Sequence, residues 1–304
     1  MSADAELQVA GRTVPVRHLD KIFYPSTGFT KGDLINYYVR ISQVLLPHLR
    51  ERALTLKRYP NGVEGKFFYE KKCPSHRPSW MKTRSVWSET NDDFIQFCVI
   101  NDLPSLVWAS NLADLELHTS LALSKNPDRP TVMVFDLDPG APADIVQCSQ
   151  VGLWLRAVLN GAGLRCLAKT SGSKGLQIYV PLNTPVTFEQ TKEFAHTLAQ
   201  ALEREHPELV VSRMQKNLRK GKVLIDWSQN DNHKTTVCVY SLRAKERPTV
   251  STPVTWEEVE QCVAEEDPET LVFETEDVLA RVEENGDLFE PVLKLKQKLP
   301  KLQT

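Results

Sequence analysis

Residues Val132 to Gly140 read V-M-V-F-D-L-D-P-G, an apolar run that closes on two aspartates separated by one leucine. The run is predicted to be a buried β-strand, because Pro139-Gly140 punctuates its end. Strand side chains alternate faces, so Asp136 and Asp138 share one face while Leu137 points into the core. Two like charges side by side repel, and the pair makes sense if a cation sits between them. A hard-oxygen ligand set of this kind fits Mg²⁺ or Mn²⁺. A second run, Lys222-Val-Leu-Ile-Asp226-Trp, ends on a carboxylate in the same manner. Three aspartates capping two strands are the minimal ligand set for two-metal phosphoryl or nucleotidyl transfer, with ions about 3.5–4 Å apart. A lone Asp after a strand is commonly a turn former or helix cap. That reading stays open for Asp226 and for Asp138, but it does not explain Asp136, which precedes the turn and interrupts an apolar strand.

The 304 residues suffice for a large core, and 41% hydrophobic with 25% charged content describes an ordinary globular protein. No apolar stretch approaches the roughly 20 residues that span a bilayer, and Met1-Ser-Ala-Asp-Ala-Glu lacks the basic start and apolar core of a secretory signal. These features predict a cytoplasmic protein without a membrane role. The six cysteines carry no paired spacing, which predicts reduced thiols. Cys73-Pro-Ser-His76 is half of a zinc pattern without a second half nearby.

The net charge of −2 hides an asymmetry. Trp256 to Glu290 holds fourteen acidic residues and one basic residue, Arg281, while residues 1–255 hold 32 Lys/Arg against 25 Asp/Glu. A basic body with an acidic C-terminal segment points to nucleic-acid contact, although solvated helix faces give the same counts. Arg213, Lys216, Arg219, Lys220 and Lys222 cluster immediately before the Asp226 strand, as a phosphate-facing segment would.

The pattern of elements is mixed. Thr30-x-x-Asp33, Thr187-x-x-Gln190 and Thr255-x-x-Glu258 read as helix starts. Further helices are predicted over about Ala143–Asn160 and Glu276–Glu284, the latter stopped by Gly286. Strands are predicted at Val132–Phe135, Arg165–Thr170, Leu176–Val180, Lys222–Asp226 and Thr235–Leu242. The order strand, helix, strand, strand, helix, strand is a split βαβ pattern. Thr170-Ser-Gly-Ser-Lys-Gly175 joins two of these strands; it reads as a Ser/Gly turn that aims backbone N–H groups at one point beside Lys174, and its spacing is not that of a P-loop.

Several longer motifs resemble, in order, the polymerase domain of bacterial and archaeal DNA ligase D, an archaeo-eukaryotic primase-type polymerase. They are Phe135-Asp-Leu-Asp-Pro-Gly140, Thr170-Ser-Gly-Ser-Lys-Gly-Leu176, Val223-Leu-Ile-Asp226-Trp-Ser-Gln-Asn230 and Tyr240-Ser-Leu-Arg243-Ala244. Lys57-Arg-Tyr-Pro-Asn-Gly-Val63, Phe67-Phe68, the segment Asn101-Asp-Leu through Leu115-Glu-Leu-His118, and Ser251-Thr-Pro-Val-Thr-Trp256 extend the likeness over nearly the whole chain. The resemblance implies an α+β fold, a primase-type palm with a central mixed or antiparallel sheet flanked by helices. It also implies one primase-polymerase domain over 1–304: an N-terminal region (1–130) with DNA-end and template contacts, a catalytic palm (131–245) and an acidic helical C-terminal segment (246–304).

By the same resemblance Asp136, Asp138 and Asp226 are metal-binding catalytic residues, and His118 belongs to that site. From the residues alone, a His closing an apolar helix is commonly a structural cap. The resemblance assigns Ser171, Lys174 and Arg243, with Arg219 and Gln229, to the nucleotide's phosphates. Phe67 and Phe68 are to stack on template and nucleotide bases, as an aromatic pair flanked by Lys66 and Lys71 can do. Lys21, Lys31 and Lys57 are to grip a DNA 5′-phosphate. Two departures stand out: Gln177 occupies a family histidine position that contacts nucleotide phosphate, and His18 replaces an asparagine beside the 5′-phosphate pocket.

The resulting expectation is a two-metal, template-directed nucleotidyltransferase using Mn²⁺ or Mg²⁺. A primer 3′-hydroxyl attacks the α-phosphate in line while Lys174 and Arg243 hold the departing pyrophosphate. Its partners would be gapped, nicked or overhanging DNA ends with a 5′-phosphate, NTPs or dNTPs, and a Ku-type protein and a DNA ligase in non-homologous end joining. Two alternatives come from other classes. A haloacid dehalogenase-type phosphatase also opens on a strand ending D-x-D, but wants Thr or Val where Gly140 stands. A non-catalytic 5′-phosphate end-binding module would use the basic body alone.

Overall fold

The computed structural model describes residues 4–88 and 92–301, and its architecture is α+β. Two compact units divide the chain: Met1–Lys125 with Thr235–Val250 and Glu274–Asp287, and Asn126–Lys234 with Ser251–Phe273 and Leu288–Thr304. No described helix is long and apolar enough to cross a membrane.

The second unit is built on a six-stranded sheet in the order Val210–Val211, Val223–Asp226, Val132–Pro139, Leu176–Pro181, Leu167–Thr170 and Pro253–Val254. All pairings are antiparallel except the first. Met133, Phe135 and Leu137, with Leu176, Ile178, Val223 and Ile225, point to one face and are fully buried in a core that includes Val151, Leu155 and Leu159 of the helix Ile145–Gly161. The alternation that buries them turns Asp136 and Asp138 to the opposite face. The helix Phe188–Glu205 starts at the Thr187/Gln190 capping box, and Trp256–Glu265 at Thr255/Glu258. A third box, Asp144 with Gln147, sets the helix start two residues beyond the predicted Ala143.

Past Asp226 the chain leaves the sheet in a short 3₁₀ turn, and the Asn230 side chain takes over the ladder. Its Oδ1 accepts from Val134 N–H at 2.9 Å and its Nδ2 donates to Val134 C=O at 2.7 Å and Trp227 C=O at 2.9 Å. Asn230→Ala orphans both backbone groups in a dry site, so a loss of about 2–3 kcal/mol is expected, read as a drop of several degrees in Tm; an unchanged Tm contradicts this role.

The first unit holds a sheet in the order Thr236–Val237, Asp114–Thr119, Leu54–Arg58, Asp93–Cys98 and Thr83–Ser88, with Phe68–Glu70 also paired to Leu54–Arg58. The helix Lys31–Leu49 opens on the Thr30/Asp33 capping box. Three sequence expectations are corrected here. The predicted Thr235–Leu242 strand keeps only Thr236–Val237, because Tyr240 takes a left-handed φ of 65° that ends the extended run. His118 closes a strand rather than a helix: the helix Leu103–Asn111 stops before Ala113, itself at φ 64°, and Asp114–Thr119 is extended. Cys73 and Cys98 form a disulfide, which also removes Cys73 as half of a zinc pair; they lie 25 residues apart and meet because Cys73 N–H bonds Gln96 C=O at 2.7 Å. The other four cysteines are buried and form no disulfide.

Candidate active site

Strand register makes a row of side chains across the second unit's sheet. Asp226 lies opposite Asp136, Asp136 opposite Gln177, and Gln177 opposite Lys169. Directly opposed residues share a face, so all four stand on the side away from the core, with Asp138 two residues along. The three carboxylates singled out from sequence are therefore brought together on one sheet face. Lys169, fully buried, was missed in the sequence; a lone cation inside the strand Leu167–Thr170 was the available signal.

Each carboxylate is engaged by a different set of donors. Asp136 Oδ1 accepts from Gln177 Nε2 at 3.1 Å. Asp226 Oδ1 accepts from Ser228 N–H at 2.9 Å and its hydroxyl at 2.5 Å, and Oδ2 from Gln229 Nε2 at 3.0 Å. This is the capping geometry that the residues alone had left open, added to the pairing with Asp136. Asp138 faces Arg219 Nη1 at 3.3 Å and Lys174 Nζ at 3.5 Å. Among the described residues no group of three or more His, Cys, Asp or Glu side chains is gathered closely enough to form a metal site by itself. Electrostatics still favour a cation. Burial, together with the Asp226 and Asp138 charges, outweighs the Gln177 hydrogen bond and Lys169 and pushes the Asp136 carboxyl up to about 6.

Two glycines allow the cations to approach. A Cβ on Gly140 would lie 1.9 Å from the Arg219 carbonyl oxygen, and one on Gly175 would lie 2.2 Å from that of Leu137. Ser171 closes the turn that carries Lys174: its hydroxyl accepts from Ser173 and Gly175 N–H at 3.2 and 3.1 Å. Lys174 Nζ also donates to Pro139 C=O at 3.0 Å.

The remaining site candidates lie in the first unit. His118 Nε2 and Lys57 Nζ lie 2.9 and 3.0 Å from Glu116 Oε2, and Arg243 Nε lies 3.4 Å from the same oxygen. Glu116 was not singled out in the sequence; its place two residues before His118 puts both on one strand face. Burial acts to raise Glu116, but His118, Arg243 and Lys57 prevail and hold it well below the usual carboxylate range. Burial lowers the His118 imidazole, against the pull of Glu116. Lys57 Nζ sits over the rings of Phe67, Tyr59 and Tyr69 at 4.8, 5.3 and 5.7 Å. Phe67 and Phe68 are 49% and 43% exposed, so neither is ordinary core packing.

Lys21 and Lys31 form a separate group that Lys57 does not join. Lys21 Nζ donates to Asn61 Oδ1 at 2.9 Å, and Lys31 Nζ to Arg17 C=O and Asn111 Oδ1 at 2.7 and 2.8 Å. Burial, then the Lys21 charge, lowers Lys31 to about 8. His18 adopts φ 56°, a left-handed conformation that asparagine tolerates well.

The family model "LigD, primase-polymerase domain" matches residues 30–289. The chain belongs to the LigD primase-polymerase domain family. It is 40% identical over 275 residues to the multifunctional non-homologous end joining protein LigD of Mycolicibacterium smegmatis, covering 90% of this chain and 35% of that protein. It is 33% identical over 270 residues to the bifunctional non-homologous end joining protein LigD of Bacillus subtilis, covering 88% and 42%. The chain thus spans about a third to two-fifths of the length of these LigD relatives. The polymerase domain of Mycobacterium tuberculosis Ligase D, solved in complex with DNA, superposes with a TM-score of 0.85 at 38% identity, covering 92% of this chain and 98% of that one. Membership of the LigD primase-polymerase family makes the chain a nucleotidyltransferase of primase-polymerase type and sets the phosphatase alternative aside.

Proposed function

We propose that this chain performs template-directed nucleotidyl transfer at DNA ends and gaps, with Asp136, Asp138 and Asp226 as ligands of divalent cations. The observation that carries the reading is the register of Asp136 against Asp226, with Asp138 two residues along beside Lys174 and Arg219. The donor set fits the group: three carboxylates share one face, and burial first, then the Asp226 and Asp138 charges, raise the Asp136 carboxyl, costs that a bound cation would offset. Mn²⁺ or Mg²⁺ held there would stabilise charge on the transferred phosphate and acidify the attacking hydroxyl.

The chain's own residues supply positioning. Lys174 and Arg219 bind and orient polyphosphate oxygens, the first as a compact charge and the second as a fork. In the same reading Ser171 and Gln229 assist at the phosphates, and Phe67 and Phe68 stack on bases. Lys21 and the partly desolvated Lys31, near enough for their charges to interact, receive a 5′-phosphate. The names of the LigD relatives concern non-homologous end joining; we extend that role to this chain, in the cytoplasm, with a Ku-type protein and a ligase as partners.

Extension on a gapped duplex tests the reading, with and without a 5′-phosphate, in Mn²⁺ and in Mg²⁺, with ribo- and deoxyribonucleotides. Addition of the templated nucleotide is expected; tight end binding with no addition favours the non-catalytic module instead. Gln177 donates a neutral hydrogen bond to Asp136 where a histidine could carry charge. Gln177→His is therefore expected to lower the nucleotide KM several-fold in steady-state kinetics, and an unchanged or higher KM would refute that role.

A further inference from the structure

The Asp226 carboxylate is one end of a short chain of polar side chains whose other end is a lysine. Its Oδ1 accepts from the Ser228 N–H at 2.9 Å and the Ser228 hydroxyl at 2.5 Å, and its Oδ2 from Gln229 Nε2 at 3.0 Å. The Ser228 hydroxyl oxygen in turn lies 2.5 Å from Lys234 Nζ. An ammonium carries only donors, so the serine oxygen accepts from Lys234 and its own proton points to Asp226. The direction of the chain is therefore fixed: Lys234 ammonium, Ser228 hydroxyl, Asp226 carboxylate. A carboxylate offers about four acceptor sites. The two bonds from Ser228 fill Oδ1 and Gln229 takes one site on Oδ2, so the acceptor site that remains for a cation is on Oδ2.

The loop that delivers Lys234 is anchored within the same unit. Asn230 is bonded to Val134 of the central strand, and Asp231 Oδ2 pairs with Lys192 Nζ of the helix Phe188–Glu205 at 2.7 Å. Asp231 Oδ1 accepts from His233 N–H at 3.0 Å, and Lys234 N–H donates to Asp231 C=O at 3.2 Å. Lys174 and Arg219 meet Asp138 directly, at oxygens that a metal would use. Lys234 instead meets Asp226 through a hydroxyl, and so does not occupy Oδ2.

We propose that Lys234 is a positioning residue for divalent-cation binding: through the Ser228 hydroxyl it fixes the Asp226 carboxylate so that Oδ2 can join Asp136 and Asp138 in holding a cation. The proposal rests on the reading of Asp226 as a metal ligand. The ammonium polarises the hydroxyl and strengthens its bond to Oδ1. Without it the carboxylate turns more freely, and a cation must order it on binding. Outer-shell partners of this kind contribute about tenfold or more to metal affinity. The lysine's charge alone acts in the opposite direction, since a nearby ammonium repels a divalent cation. The sign of the effect thus separates orientation from charge.

The test is Mn²⁺ binding to the full chain without DNA or nucleotide, followed by electron paramagnetic resonance. Wild type, Asp226→Asn, Lys234→Met, Lys234→Arg, Ser228→Ala and the double variant Ser228→Ala/Lys234→Met are compared. Lys234→Met and Ser228→Ala are each expected to weaken binding about tenfold. The double variant should bind no more weakly than Ser228→Ala by itself, because without the hydroxyl the lysine has nothing to act through. Lys234→Arg, which keeps a charged donor, should recover part of the loss. Unchanged or tighter Mn²⁺ binding by a Lys234→Met protein with a native circular dichroism spectrum overturns the proposal, and so does full additivity in the double variant. If Lys234→Met does not fold, Ser228→Ala decides: a folded protein with wild-type Mn²⁺ affinity is equally fatal. Wild-type Mn²⁺ affinity in Asp226→Asn would defeat the metal reading itself, whereas a weakened Asp226→Asn beside an unaffected Lys234→Met defeats the role of Lys234 alone.

Discussion

Asp136→Ala and Asp138→Ala are each expected to reduce primer extension by 10³-fold or more, about 4 kcal/mol in the barrier, while leaving the fold intact. Each removes one of the clustered carboxylates and, with it, like-charge repulsion. The stability consequence has a definite sign for Asp136. Its carboxyl is raised from 3.8 to about 6, so between these values the folded state binds more protons than the unfolded one. Metal-free stability therefore falls as the pH rises from about 4 to about 6, by on the order of 2–3 kcal/mol from this group. Metal-free Asp136→Ala should lose that pH dependence and melt no lower than wild type at pH 7. Saturating Mn²⁺ should raise the wild-type Tm and leave that of the variant nearly unmoved. An Asp136→Ala protein that extends primers at a near wild-type rate would refute the assignment.

Gly140→Ala is the second large effect. The added Cβ would meet the Arg219 carbonyl oxygen at 1.9 Å, a backbone atom that cannot swing aside. Gly140 N–H also bonds Lys222 C=O at 2.8 Å, and its carbonyl accepts from Gly221 N–H at 2.9 Å, so the two segments are tied together. Relief requires displacing the segment that carries Arg219 away from Asp138. The expected cost is about 2–3 kcal/mol of stability, with a rise in nucleotide KM and a smaller change in kcat. Differential scanning calorimetry and steady-state kinetics check both parts; an unchanged Tm with an unchanged KM contradicts the close approach described above.

What was legible in the sequence was local. The D-x-D alternation on an apolar strand set the face of Asp136 and Asp138, and three Ser/Thr-type capping boxes marked helix starts that the structure holds at Thr30, Thr187 and Thr255. The pairing of Asp226 with Asp136 depends on strand register between segments 90 residues apart, which no local pattern encodes. Glu116 was hidden for the same reason, since its partner Arg243 comes from a distant part of the chain. The Cys73–Cys98 bond escaped because spacing alone does not report which strands meet. The Thr235–Leu242 segment misled because its apolar run Val237-Cys-Val-Tyr240 reads as one strand, whereas Tyr240 is left-handed and its hydroxyl is held by Asp287 at 2.7 Å.

The account depends on Asp226 acting with Asp136 and Asp138 on the same divalent cations. The direct measurement is Mn²⁺ binding by electron paramagnetic resonance, comparing wild type with Asp226→Asn. The substitution keeps the side chain's size and one acceptor oxygen while removing the charge opposite Asp136. The account predicts that Asp226→Asn weakens Mn²⁺ binding at least tenfold; Mn²⁺ affinity equal to that of wild type would contradict it.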